Sequence, residues 1–175
     1  MVQRRNKLTP IEHSRLSKII CSRILSSDLF QQSKTIATYK SINNEVDLSE
    51  LFRKPKNHVL PVIQDNHSMT FRSYNATDPL TKNQYGIWEP KGSKPIKPHR
   101  IELCLIPLVG FKRDGSRLGM GGGYYDRYFE SNQKQEKPTV LAGVAYDFQE
   151  DDSIQAESWD IPLDIIFTNK ETIIT

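Results

Sequence analysis

Leu16, Ile19, Ile20 and Ile24 recur at the three- and four-residue spacing of one helical face, and Thr9-Pro10 stands ahead of them as an N-cap threonine and a first-turn proline. A helix beginning at Pro10 is predicted. The pattern then shifts to short apolar runs. Strands are expected at 35–39, 58–63, 69–74, 101–106, 140–145 and 165–168, the run at 69–74 alternating like a half-exposed strand. Between the first two, Asp47 is predicted to cap a short helix carrying Leu48, Leu51 and Phe52 and ended by Pro55. A further helix should run from Tyr124 to about Asn132. Residues 89–100, with Pro90, Lys91, Lys94, Pro95, Lys97 and Pro98, read as an exposed loop. Strands alternating with helices predict a three-layer α/β/α fold, a mixed and mostly parallel sheet with helices on both faces, in one domain over 1–175. No internal repeat is visible.

One segment breaks the pattern. Arg117-Leu118-Gly119-Met120-Gly121-Gly122-Gly123-Tyr124-Tyr125-Asp126-Arg127 holds four glycines, two arginines, two tyrosines and a carboxylate. A glycine run lets the backbone come close to a ligand so that successive N–H groups converge on phosphate oxygens, and the residues after it suit a first helical turn. Two known phosphate loops do not fit. No Lys-Ser or Lys-Thr follows these glycines, and Tyr124 stands where a dinucleotide fingerprint needs its third glycine. A tight structural turn between strand and helix is the plainer alternative. The apolar run before it, closed by Pro107 and followed by Leu108-Val109-Gly110-Phe111 and the turn Arg113-Asp114-Gly115, sets strand, loop and helix in an order that places ligands at the carboxyl edge of an α/β sheet.

Composition narrows the class. Charged residues are 26% and hydrophobic residues 37% of the 175, with no apolar run near the length of a membrane span, and Met1 leads into a polar, basic segment rather than a secretory leader. A cytoplasmic location and no membrane partner are expected. A formal charge of +3 helps to steer anionic small molecules but falls far short of a nucleic-acid-binding stripe. Cys21 and Cys104 have no metal-type spacing and read as reduced core thiols, and His13, His58, His67 and His99 form no ligand pattern and are expected at the surface or at strand ends.

The segment 107–111 and the block 115–127 resemble the signature of the 5-formyltetrahydrofolate cyclo-ligase family, also called methenyltetrahydrofolate synthetases. Tyr39-Lys40-Ser41, Glu45-Val46-Asp47, Leu60-Pro61, Met69-Thr70-Phe71, Glu89-Pro90, Tyr146-Asp147-Phe148-Gln149, Trp159-Asp160 and the stretch 163–168 follow in the family's order. The resemblance implies ATP-dependent closure of 5-formyltetrahydrofolate to 5,10-methenyltetrahydrofolate through an iminium phosphate, with Mg²⁺. It assigns catalysis to Arg117, Tyr124 and Asp126, and ATP contacts to Arg117, Leu118, Gly119, Met120, Gly121, Gly122, Gly123, Tyr124 and Tyr125. Arg4 and Arg5 are the leader cations that would assist. Ser41, Glu45, Tyr85, Met120 and Tyr124 would meet the folate, with Glu45 accepting the N–H donors of the pterin edge and the tyrosines flanking a ring. Asp126 and Asp160 correspond to the family's magnesium ligands. Taken without the resemblance, Asp126 is a first-turn carboxylate, Glu45 an acidic residue at a helix start, and each tyrosine a packing residue. Three departures stand out: Met120 and Gly122 replace basic residues common in the glycine block, the leader lacks the earliest family lysine, and Lys112 stands where an aspartate is common. A monomer acting on folates, polyglutamylated ones included, is expected; another ATP-using ligase or kinase, or a non-catalytic nucleotide or folate binder, is the alternative.

Overall fold

The computed structural model describes every residue except 65–67, 93 and 135, together with the backbone alone of 133, so His67 lies outside the described residues. The chain opens with α1 (Val2–Asn6), α2 (Pro10–Leu25) and α3 (Asp28–Gln32). Thr9 and Glu12 form a reciprocal capping box, the Glu12 amide donating to Thr9 Oγ1 at 3.2 Å and the Thr9 amide to Glu12 Oε2 at 2.9 Å, which fixes the start of α2 at the predicted residue.

The strands follow as β1 (Thr35–Ala37), β2 (Asn57–Ile63), β3 (Met69–Ser73), β4 (Leu80–Lys82), β5 (Trp88–Pro90), β6 (Pro95–Ile96), β7 (Leu103–Pro107), β8 (Gly110–Phe111), β9 (Arg117–Leu118), β10 (Val140–Val144), β11 (Ile165–Phe167) and β12 (Thr172–Ile174), with α4 (Tyr124–Phe129) between β9 and β10. Eight of them form one sheet in the order β12-β11-β10-β7-β1-β2-β3-β6. The five central strands β11, β10, β7, β1 and β2 are parallel, and antiparallel pairings occur only toward the edges. Strand alternation sends Leu103 and Leu105 to one face, where they pack with Ile20, Cys21 and Ile24 of α2 and Phe30 of α3. Cys104 and Ile106 point to the other, where Phe129 of α4 joins Phe71, Val59 and Ile166. Helices therefore cover both faces.

This order creates the feature that positions the site. From β1 the chain moves to β2 on one side, whereas β7, on the other side of β1, is followed by β10 and then β11 still further away. The carboxyl ends of β1 and β7 thus feed loops that diverge, which is the switch point where open α/β sheets bind ligands.

Three local expectations are corrected. The helix after the glycines ends at Phe129, because Asn132 is buried and its side-chain amide clamps both the N–H and the carbonyl of Thr139 at 2.8 Å, a role in which it cannot simply extend a solvated helix. Asp47 caps no helix: its carboxylate accepts the Ser49 amide at 2.9 Å in a side-chain turn, and only a single 3₁₀ turn follows at Leu51–Arg53. Residues 89–100 are not all loop. Glu89 is buried and accepts the Ile63 amide at 2.8 Å, and Pro95–Ile96 pairs with β3 as an edge strand, where a proline's missing N–H is tolerated. His58 stands at the start of β2, a strand end as expected, and is buried, its ring edge-on to Phe52 at 5.1 Å.

Candidate active site

On the β7 side, the chain forms the small β8–β9 hairpin and then enters Gly119–Gly123. Gly121 adopts φ +82° and Gly123 φ +59°, the left-handed region that glycine enters without penalty, and Gly123 becomes the residue from which α4 starts. A Cβ at Gly119 or Gly121 would meet nothing within 4 Å, whereas one at Gly122 would lie 2.6 Å from the Tyr124 ring. The loop therefore offers open backbone on one side and rests on Tyr124 on the other. Leu118 and Met120 project outward, Met120 being 68% exposed.

Arg117 and Asp126 bracket this loop and meet beneath it. Arg117 Nη2 donates to Asp126 Oδ1 at 2.5 Å, and its Nη1 donates to the carbonyl of Ile161. The Ile161 amide donates to the same Asp126 oxygen at 3.0 Å. One guanidinium and one carboxylate thus lock the loop stem, α4 and the segment following Asp160 together. Asp126 Oδ1 is saturated, and Oδ2 makes no hydrogen bond to the described residues. Asp160 precedes the residue so held, its own Oδ2 accepting the Glu157 amide at 2.9 Å. No cluster of three or more His, Cys, Asp or Glu suited to a metal exists among the described residues. A hard divalent ion fits this donor set only as magnesium does, with one or two carboxylates and the rest from phosphate oxygens and water.

On the β1 side, Asn43 and Asn44 carry the backbone through φ 49° and 56° and turn Glu45 inward. Glu45 is 8% exposed; its Oε2 accepts the Ile42 amide at 3.1 Å and its Oε1 lies 3.9 Å from Arg5 Nη2. Burial holds its carboxyl above the usual carboxylate range, against the opposing pull of the Ile42 N–H and of Arg5. Tyr39 and Tyr146 flank it, donating from their hydroxyls to the carbonyls of Val46 at 3.1 Å and Asn44 at 3.2 Å. Burial, with the charge of Glu45 as a lesser contribution, pushes the hydroxyls of Tyr39, Tyr125 and Tyr146 upward, so all three stay protonated.

The β4–β5 ribbon reaches across to α4. Tyr85, at the tip of the β4–β5 ribbon and 51% exposed, brings its hydroxyl to 3.5 Å from that of Tyr124. Asn83 shapes the tip by accepting the Tyr85 and Ile87 amides at 2.9 and 3.0 Å. Arg127 lies over the Tyr124 ring, 5.4 Å from its centre.

The glycine block, Arg117, Tyr124, Asp126 and Asp160 are thus brought together, with Ser41 and Glu45 on the facing loop. The leader arginines separate: Arg4 is exposed and stacks over Phe148 at 4.8 Å, whereas Arg5 is buried against the Glu45 loop. Sequence reading passed over His13, whose Nε2 lies 2.8 Å from the Glu45 carbonyl, and Gln149, whose Nε2 donates to the carbonyls of Leu108 and Val109 at 2.7 and 3.0 Å. Gln149 lies within a quoted landmark, but neither residue type announces a structural clamp.

A mostly parallel α/β sheet whose switch point sends out a glycine-rich backbone loop on one side and a buried carboxylate on the other has the architecture of the α/β proteins that bind small ligands beyond the carboxyl ends of their strands. The chain belongs to the 5-formyltetrahydrofolate cyclo-ligase family, whose model matches residues 1–169. It is 34% identical over 167 residues to the 5-formyltetrahydrofolate cyclo-ligase of Haemophilus influenzae, covering 91% of this chain and 88% of that one. It is 32% identical over 174 residues to that of Escherichia coli, covering 95% and 94%. Among solved structures, the 5,10-methenyltetrahydrofolate synthetase of Aquifex aeolicus superposes with a TM-score of 0.85 at 32% identity, over 99% of this chain and 88% of that one. That of Mycoplasma pneumoniae gives 0.75 at 31%, over 95% and 92%.

Proposed function

We propose that this protein closes 5-formyltetrahydrofolate to 5,10-methenyltetrahydrofolate, consuming ATP and releasing ADP and phosphate. The observation that carries the reading is that the two loops leaving the switch point hold an inward-facing buried carboxylate at Glu45 on one side and, on the other, a glycine backbone open at Gly119 and Gly121. The first suits a pterin edge rich in N–H donors; the second suits a polyphosphate.

A formamide oxygen is a poor leaving group, so ring closure requires its activation. Transfer of the terminal phosphoryl group of ATP to that oxygen gives an iminium phosphate; the N10 amine then adds to the formyl carbon and gives up its proton, and the oxygen departs with phosphate. The protein's part is positioning and charge stabilisation. Glu45 would anchor the pterin, Tyr85 and Tyr124 would flank a ring, Ser41 and Met120 would border the folate, and the backbone of 119–123 would surround the phosphates. Arg117 would act chiefly by holding Asp126 and the Ile161 carbonyl in place. Asp126, through its free Oδ2, and Asp160 would hold Mg²⁺, whose charge would offset that of the phosphates. The exposed Lys91, Lys94 and Lys97 form a basic rim suited to a polyglutamate tail. We further place the protein in the cytoplasm as a monomer without nucleic-acid partners; no helix among the described residues is long and apolar enough to cross a membrane.

The test is the near-ultraviolet absorbance of methenyltetrahydrofolate on mixing protein with 5-formyltetrahydrofolate, ATP and magnesium. A rise that needs all three components is the expected result. ATP turnover indifferent to folate would instead mark another ligase or kinase on this fold, and ligand binding without turnover a sensor or store.

A further inference from the structure

We propose that Arg5 is a positioning residue of the folate half of the site: it orients Glu45 and ties that residue's loop to the root of the glycine loop. The inference rests on Glu45 being the folate carboxylate. By charge and position in the leader, Arg5 belongs with the phosphates; the structure puts it elsewhere. It is 2% exposed and reaches three groups on two loops. Its Nε donates to the Asn43 carbonyl at 2.9 Å, its Nη1 to the Leu108 carbonyl at 3.1 Å, and its Nη2 lies 3.9 Å from Glu45 Oε1. The hold is mutual, since Asn44 Nδ2 donates to the Arg5 carbonyl at 3.2 Å and to that of Leu8 at 3.3 Å.

Two consecutive non-glycine residues in left-handed conformation, Asn43 and Asn44, persist only where their surroundings fix them. Arg5 contacts both, one through its side chain and the other through its carbonyl, so the turn that aims Glu45 is built around this arginine. The planar fork holds its donors in fixed, separated directions toward these three groups, whereas a lysine would gather its donors on a single point charge. Leu108 begins the other loop, directly after β7, so the same guanidinium sets the spacing of the two loops at the switch point.

Charge is the second consequence. A buried carboxylate tends to take up a proton, and a protonated Glu45 would lose its value as an acceptor of pterin N–H groups. Tyr39 faces Glu45 from the end of β1, Tyr125 from α4 and Tyr146 from the end of β10, and all remain neutral. His13 of α2 meets its carbonyl rather than its carboxylate, and Asp47 on the same loop is turned to Ser49. Among the described residues Arg5 is the cation within 4 Å of the carboxylate.

The experiment compares wild type, Arg5→Met, Arg5→Lys and Arg5→Gln, each with and without Glu45→Gln. The carboxyl of Glu45 is titrated by carbon-13 NMR, its signal identified by its loss in Glu45→Gln, and the pH profile of kcat/KM is recorded with the KM of each substrate. Losing an opposite charge at this distance should raise the Glu45 titration and the acid limb of the profile by about one pH unit. Arg5→Met should raise the folate KM about tenfold at neutral pH while leaving the ATP KM within about twofold. Arg5→Lys should restore the limb but only part of the KM, and in the Glu45→Gln background no Arg5 change should move the limb. An unshifted Glu45 titration in folded Arg5→Met, or in Arg5→Gln should the former not fold, overturns the proposal. So does a variant that raises the KM for ATP instead of folate. A wild type without folate turnover would overturn the function proposed above, and the NMR titration would still decide the role of Arg5.

Discussion

The two loops that leave the switch point are opposites in construction. On the β1 side the polar groups around the carboxylate are paired: Glu45, Arg5, Tyr39, Tyr146 and Asn44 are linked to one another or to backbone, and the apolar residues among them are buried. On the β7 side the glycine backbone stands open at Gly119 and Gly121, with the Arg117–Asp126 lock below it, and only toward α4 is it held, where the Gly122 carbonyl accepts from Arg127 Nη2 at 2.6 Å and the Gly123 carbonyl from the Arg127 amide at 3.2 Å. The difference teaches a division of labour. Under the function proposed above, the enclosed carboxylate would select a ring by its N–H donors, whereas the open main-chain loop would accept phosphates, whose charge and shape are the same in every nucleotide.

Breaking the lock should have the largest effect. Asp126→Asn keeps the size of the side chain but weakens both the lock to Arg117 and any metal contact. The expectation in steady-state and direct binding assays is a loss of kcat on the order of 100-fold or more, with folate affinity little changed. If folate affinity collapsed in parallel, the two loops would not be separable units. Glu45→Ala comes next and should do the reverse: removing a hydrogen-bonded charge costs about 1.5–3 kcal/mol, or roughly a 10- to 150-fold rise in folate KM, with the ATP KM nearly constant.

Gly121→Val sharpens the comparison from the open side. With φ at +82° and empty space around the missing Cβ, the penalty is backbone strain rather than collision. A cost of about 1–2 kcal/mol predicts a melting midpoint about 2–8 °C lower, a fold intact by circular dichroism, and a clear loss of ATP affinity. Unchanged ATP affinity would remove the loop from phosphate binding altogether. The smallest effect lies outside both loops. His58 is buried beside Phe52, its Nδ1 has no partner among the described residues, and burial pulls its pKa below the ordinary value. Stability from its neutral form should be full above the unfolded value near 6.5 and fall as pH drops through that value toward the lower folded one. Thermal melts from pH 7 to 5 should therefore decline more in wild type than in His58→Phe; parallel curves would show that other groups govern the acid limb.

Much of this was legible along the chain, and the failures have a common cause. The start of α2 was readable because its cap is local, made by Thr9, Pro10 and Glu12 within one turn. The central strands were readable because a parallel sheet buried on both faces needs continuous apolar runs. Residue type alone could not reveal where Arg5 goes, since its acceptors lie at Asn43, Glu45 and Leu108, far along the sequence. The same holds for Glu89, which looks like a loop acid and serves as a buried acceptor for β2. Asn132 likewise stops α4 through a partner, Thr139, that lies beyond the helix. Local signals survive in the sequence; side chains that bind remote backbone carbonyls leave no periodic trace.

The placement of the tryptophans has an optical consequence. The chain has two, Trp88 on the β4–β5 ribbon and Trp159 beside Asp160, and they are 43% and 70% exposed, so neither belongs to the core. Native emission should already resemble that of indole in water, and denaturation should shift its wavelength little. Ligands that settle against the ribbon or near Asp160 should change its intensity instead, which makes the intrinsic fluorescence of this protein a reporter of occupancy rather than of folding.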